Sequence, residues 1–151
     1  MPQDQDKRDK TKMITLDQAR TIISATRAKG GEMGLKPLSV VVLDAGGNIQ
    51  AFEREDGASP GRFEIARAKA YGAVMLGMGG KAQMARAEAQ AYFVNAVNGA
   101  FGGRVVPVPG GVLVKRDGVV IGAVGVTGDT SDNDSDAAVA GIAAAGLDAE
   151  P

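Results

Sequence analysis

Residues 38–53 read LSVVVLDAGGNIQAFE. Leu38 to Leu43 is a short β-branched run, Asp44-Ala45-Gly46-Gly47 is a turn, and Asn48 to Glu53 alternates in polarity. Two such runs joined by a glycine-rich turn predict a β-hairpin. In its second arm Ile49, Ala51 and Glu53 share one face, with Asn48, Gln50 and Phe52 on the other. A second hairpin is expected downstream, where Val112 to Lys115 and Val119 to Val126 flank Arg116-Asp117-Gly118. Strands that arrive in hairpin pairs build an antiparallel sheet, which argues against a doubly wound parallel one.

Helical patterns surround the hairpins. Thr15-Leu16-Asp17-Gln18 has the form of a capping box, and Leu16, Ala19, Ile22, Ile23 and Thr26 follow at helical spacing. This predicts a helix of about four turns that stops at Gly30-Gly31. Arg62 to Met78 and Lys81 to Val97 carry two more helical stripes, separated by Gly79-Gly80. Val105 to Gly111 contains prolines two residues apart and reads as an extended loop. A final helix is expected from Asp134 to Ala145, ended by Gly146. The order is helix, hairpin, two helices, hairpin, helix, which is an α+β sandwich with helices packed on the sheet. At 151 residues one domain is expected, spanning 13–151 behind a polar, flexible tail of residues 1–12.

Composition narrows the chemistry. The chain has no Cys and no His, so it holds no disulfide, thiolate nucleophile, His-ligated metal or Ser-His-Asp triad of its own. A formal charge of −1 leaves no basic footprint for nucleic acid. No run approaches the ~18 apolar residues of a membrane span, and the N-terminus lacks an apolar signal core. A cytoplasmic protein without nucleic-acid or membrane partners is expected. The 22 glycines sit in short pairs between apolar runs and mark turns and close backbone approaches.

Two apparent motifs fail on spacing. Gly79-Gly80-Lys81 lacks the earlier glycine of a phosphate loop, where Met75 stands, and Ala82 replaces its hydroxyl residue. Asp132-Asn133-Asp134-Ser135-Asp136 begins like a calcium loop, but Ala137 and Ala143 occupy its glycine and glutamate positions. These acidic residues read instead as a cap cluster at a helix N-terminus, with a functional carboxylate as the alternative. No metal site is expected. Arg54, Asp56, Arg62, Glu64, Arg67 and Lys69 lie close together on a loop and the helix it enters. They form either a solvated charged face or a cleft whose cations hold an acid group. Gly110-Gly111 and Gly128 leave backbone open to close approach by chain or ligand.

Taken together, five ordered pieces resemble the GlcG/HbpS-like family, whose members also occur as the C-terminal domain of PduO-type corrinoid adenosyltransferases. The pieces are Val40 to Asn48, Glu53 to Ala58, Ala66 to Ala70, Pro109-Gly110-Gly111, and Ile121 to Gly128 with Asp134 after it. The likeness runs from about Met13 to Leu147. It implies a profilin-like α+β fold, an antiparallel sheet of about five strands flanked by helices, in a homo-oligomer. Some relatives bind haem. Here, without His or Cys, iron would have only Met, Tyr, Lys or a hydroxyl, so haem would be held mainly by its propionates and apolar faces.

Three functions follow. The first is a binding or accessory protein for a small or tetrapyrrole-like ligand. Its pocket would be made by Arg67, Lys69 and the backbone of Gly110, Gly111 and Gly128, with Arg54 and Asp56 beside it. The second is a cofactor-independent enzyme on a small oxo or hydroxy acid. There Arg54 or Arg67 clamps a carboxylate, Lys69 or Asp134 moves a proton, and Thr127 holds an enolate-like oxygen. The third is a structural, oligomer-forming domain.

Overall fold

Both expected hairpins form, and they share one sheet. The computed structural model describes residues 12–151, so the expected tail lies, apart from Lys12, outside the described residues. Strands β1 (Ser39–Asp44), β2 (Ile49–Arg54), β3 (Gly111–Arg116), β4 (Val119–Thr127) and β5 (Asp148–Glu150) are ordered β2-β1-β4-β3-β5, every pair antiparallel. The helices are α1 (Leu16–Met33), α2 (Arg62–Leu76), α3 (Gly80–Ala89), α4 (Ala91–Ala100) and α5 (Ser131–Ala144). This is the α+β, profilin-like arrangement, a single open antiparallel sheet with helices on both faces.

The pleat sorts the core into two halves. Val40, Val42, Val112, Val114, Val124 and Val126 face α1 and α5, meeting Ile22, Ile23, Ala138 and Ile142. Val41, Leu43, Leu113 and Ala123 face α2, meeting Ala66, Ala70 and Ala73. The alanines let α2 sit close. At Gly125, directly beneath α2, any Cβ would collide with the Ala66 carbonyl. The alternation expected for β2 holds from Ala51 to Glu53, with Ala51 on the first face and Phe52 on the second, but a register shift beside Val42 bulges the strand near Gln50 and sets Ile49 opposite Leu43, on the face of Phe52 instead of that of Ala51.

Four boundaries differ from expectation. Helix α1 carries through Gly30-Gly31 to Met33 and ends on Gly34 at φ 69°, because a left-handed cap stops a helix more firmly than a glycine pair inside it. The expected helix from Lys81 to Val97 is two, broken at Gln90 (φ −142°, ψ 64°). The apolar stripe is nearly continuous across this break, so periodicity alone does not expose it. Helix α5 starts at Ser131, capped by Thr130, whose hydroxyl accepts from the Asn133 N–H at 3.3 Å. Asp132 and Asp134 lie in its first turn, but the Asp134 carboxylate has another use. Strand β5 was not expected: three residues with an acid at each end carry no strand signal until they meet β3.

Candidate functional site

Helix α2 delivers the cations. Arg67 and Lys69 stand two residues apart on it, about 200° around the helix, and so leave it in opposite directions. Lys69 crosses the start of β3, where its Nζ donates to the Val126 carbonyl at 3.0 Å and to Asp134 Oδ2 at 3.3 Å. Lys69 and Asp134 are 2% and 1% exposed. The second carboxylate oxygen, Oδ1, accepts from the Asp129 N–H at 3.0 Å, which fixes the bend between β4 and α5. The ion pair thus ties the helical layer on one face of the sheet to the layer on the other. Gly110 makes room for it. At φ 110° a Cβ there would press on the Val126 carbonyl and on Lys69 Nζ. Gly111 sits equally tight against the Lys69 carbonyl, and Gly128 against that of Pro37.

Burial pushes the Lys69 ammonium down from its ordinary value, with Arg62 adding to the effect and Asp134 opposing it. Burial likewise pushes the Asp134 carboxyl up, against the pull of Lys69 and the Asp129 N–H. Thr127 is also buried, and its Oγ1 accepts from Arg62 Nη1 at 3.0 Å. Lys69, Asp134, Thr127 and Gly110 are therefore brought together at the C-terminal end of β4.

Arg67 goes elsewhere. With Glu64, Ala68, Gly103 and Arg104 it lines a cavity of about 140 Å³. Its Nε is buried and has no hydrogen-bond partner. Arg104 is held by two contacts, which an aromatic pair braces. Its Nε donates to the Phe101 carbonyl at 3.0 Å, its guanidinium lies 4.4 Å over the Tyr71 ring, and Tyr71 packs edge-on against Phe101 at 5.9 Å. Among the described residues neither guanidinium is paired with a carboxylate. Two forked donors held around a small cavity suit a carboxylate or a similar oxyanion.

Asp56 belongs to a different, more open cavity of about 340 Å³ beside the C-terminal end of α1, with Arg27, Leu35, Pro37 and Glu55. There Arg27 is held by Glu53 at 2.5 Å and Glu55 at 3.2 Å, so its charge is already matched. Arg54 is exposed on edge strand β2 and lines neither cavity. The single pocket expected from Arg54, Asp56, Arg67, Lys69, Gly110, Gly111 and Gly128 is therefore divided among separate places. Arg104 escaped the sequence reading. Its one signal is Gly102-Gly103, both at positive φ, which turn the chain after α4 so that Arg104 doubles back over Tyr71.

The chain is a one-sheet α+β domain with two small cavities at its helix edges. The chain matches the model of the family described as haem degrading protein HbpS-like over residues 14–143, and it belongs to that family. It is 35% identical over 123 residues to an uncharacterized 15.0 kDa protein in the dhaT-dhaS intergenic region of Citrobacter freundii, covering 80% of this chain and 84% of that one. It is 32% identical over 122 residues to protein GlcG of Escherichia coli K12, covering 78% and 84%. Among solved structures, HbpS superposes with a TM-score of 0.75 at 28% identity, covering 87% of this chain and 89% of that one. A PduOC:haem complex superposes with a TM-score of 0.82 at 24% identity, covering 92% and 99%, which shows the shared fold. Among the described residues no helix is long and apolar enough to cross a membrane.

The donor set bears directly on haem. The chain offers no imidazole or thiolate for iron. Lys69 is committed to Asp134 and Val126, and Tyr71 lies under Arg104. The residues fit the carboxylate side of a tetrapyrrole at Arg67 and Arg104.

Proposed function

We propose that this chain is a small-molecule binding or accessory protein whose ligand carries a carboxylate, a tetrapyrrole propionate being the form the family favours. The observation that carries this reading is the Arg67–Arg104 cavity: two guanidiniums without a carboxylate partner, one with a buried and unpaired Nε, and a braced aromatic pair beside them. The proton-transfer enzyme has less support, because Lys69, Asp134 and Thr127 are buried and line neither cavity. Cytoplasmic residence and homo-oligomeric assembly belong to the same reading. Helix α4 supports assembly, since it is almost wholly apolar yet buries only Val94 and leaves Tyr92 73% exposed.

The test is a titration followed by absorbance with haemin, iron-free protoporphyrin and the protoporphyrin dimethyl ester. Haemin and the free acid should bind saturably and the ester much more weakly. Arg67→Gln and Arg104→Gln should each weaken binding of the free acid by about tenfold, the value of one charge-assisted hydrogen bond. Equal binding of acid and ester, or unchanged affinity in both variants, overturns the proposal.

A further inference from the structure

Glu64, Arg67 and Ala68 stand at positions i, i+3 and i+4 of α2 and share the stripe that walls the smaller cavity, while Gly103 and Arg104 enter it from the turn after α4. An acid three residues before an arginine ordinarily pairs with it on a helix. Here it does not. Among the described residues Glu64 forms no ion pair, and Arg67 keeps its buried Nε without a partner. Two guanidiniums and one carboxylate thus line the same space, leaving one net positive charge. A single carboxylate from a ligand brings that balance to zero. A second one in the same space would stand against Glu64.

The space is also short. Its volume of about 140 Å³ is the share of about four or five water molecules at roughly 30 Å³ each. The two wall residues with the least side chain keep it open. Ala68 is 7% exposed yet belongs to neither half of the core, and a Cβ added at Gly103 would meet nothing within 4 Å. Such a volume takes a carboxylate on a two-carbon stem and leaves a ring system outside.

We infer that the cavity is a gauge for one short monocarboxylate arm, in which Glu64 rejects a second acid group and Ala68 and Gly103 set the length. This rests on the carboxylate reading of the cavity and adds its selectivity. Free propionate is itself a ligand, a larger molecule inserts a single propionate arm, and a dicarboxylate of the same length is disfavoured. Two guanidiniums alone would favour the dianion, so preference for the monoanion is the mark of Glu64.

The intact ¹⁵N-labelled protein is titrated at neutral pH and fixed ionic strength with propionate and with malonate, which share a three-carbon chain. Propionate should shift the Ala68 and Gly103 amide signals saturably. Malonate should bind about five- to tenfold more weakly, the cost of a like charge a few ångströms from Glu64. Glu64 is exposed, so Glu64→Gln keeps the fold, and it should raise malonate relative to propionate by that same factor. The size difference between the acids cancels in this change of ratio, which isolates the charge. Ala68→Leu should abolish the propionate shifts by filling the cavity, and Arg67→Gln should weaken both acids about tenfold. Malonate as tight as propionate, a ratio unmoved in Glu64→Gln, or no saturable propionate shift overturns the inference. Protoporphyrin separates the two readings. Porphyrin held through Arg67 with the acid ratio unmoved removes the gauge and keeps the tetrapyrrole, whereas propionate bound as expected without any porphyrin binding keeps the gauge and removes the tetrapyrrole.

Discussion

Lys69 and Arg67 are separated by one residue of α2, yet they end in opposite surroundings. The ammonium of Lys69 is sealed against Asp134 and a strand carbonyl and is almost inaccessible. The guanidinium of Arg67 opens on a cavity and leaves a donor unmatched. The first is a complete polar cluster that holds two layers together. The second is an incomplete one, and an unmatched donor at a cavity wall has a use only when something else enters. What separates them is the far side of the sheet: α5 brings an acid into an ion pair with Lys69, whereas Arg67 shares its cavity with Arg104 and with a Glu64 that forms no ion pair with it.

Removing one side of the closed cluster should therefore have the largest effect. Lys69→Ala leaves a buried carboxylate without its partner, and a loss of about 3–5 kcal/mol in unfolding free energy is expected from denaturant melts. Lys69→Met combined with Asp134→Leu should recover much of that loss, since apolar replacement of both charges removes the orphan. A double variant no more stable than Lys69→Ala would break the view that the pair is a structural tie.

Gly110→Ala tests the room around the tie. Its positive φ and the nearby Val126 carbonyl and Lys69 Nζ predict a loss of about 1–3 kcal/mol. At Arg67 the order of effects reverses. Arg67→Gln should change stability by no more than about 0.5 kcal/mol, while carboxylate-ligand affinity falls about tenfold, a loss read from the porphyrin titration. A large loss of stability with unchanged affinity would make Arg67 a structural residue like its neighbour.

The smallest effect concerns acid. The Lys36 N–H, helped by the Asn133 amide and the Thr130 N–H, holds the Asp129 carboxyl down to about 2. Its folded value lies below the unfolded 3.8, so its contribution is complete above the unfolded value and disappears as pH falls through the folded one. Asp134 is shifted the other way and offsets part of that loss. Urea midpoints between pH 5 and pH 2 should therefore fall less steeply in Asp129→Ala than in the unaltered protein. Parallel curves would remove Asp129 from the account of the bend that seats Asp134.

Lys69 was legible as a candidate from the charged run Arg54 to Lys69, Asp134 from the acidic cluster before the last helix, and Thr127 from the strand end that resembles the family. Their burial was not legible, because it depends on two helices arriving from opposite faces of the sheet. Arg67 was legible for the same reason as Lys69, and nothing local separates the two. Arg104 looked like a loop cation until Tyr71, 33 residues earlier in the chain, came under it.

Local patterns determined the two hairpins, the capped first helix, the helical stripe of α2 and the absence of any imidazole or thiolate chemistry. Those properties depend on residues within a few positions of one another, or on composition alone. Tertiary structure decided the break at Gln90, the short β5 on the edge of β3, and which cation is locked and which is open. Each of these is set by a partner far away in sequence. A two-residue step around α2 carries one side chain to an acid and the other to a cavity.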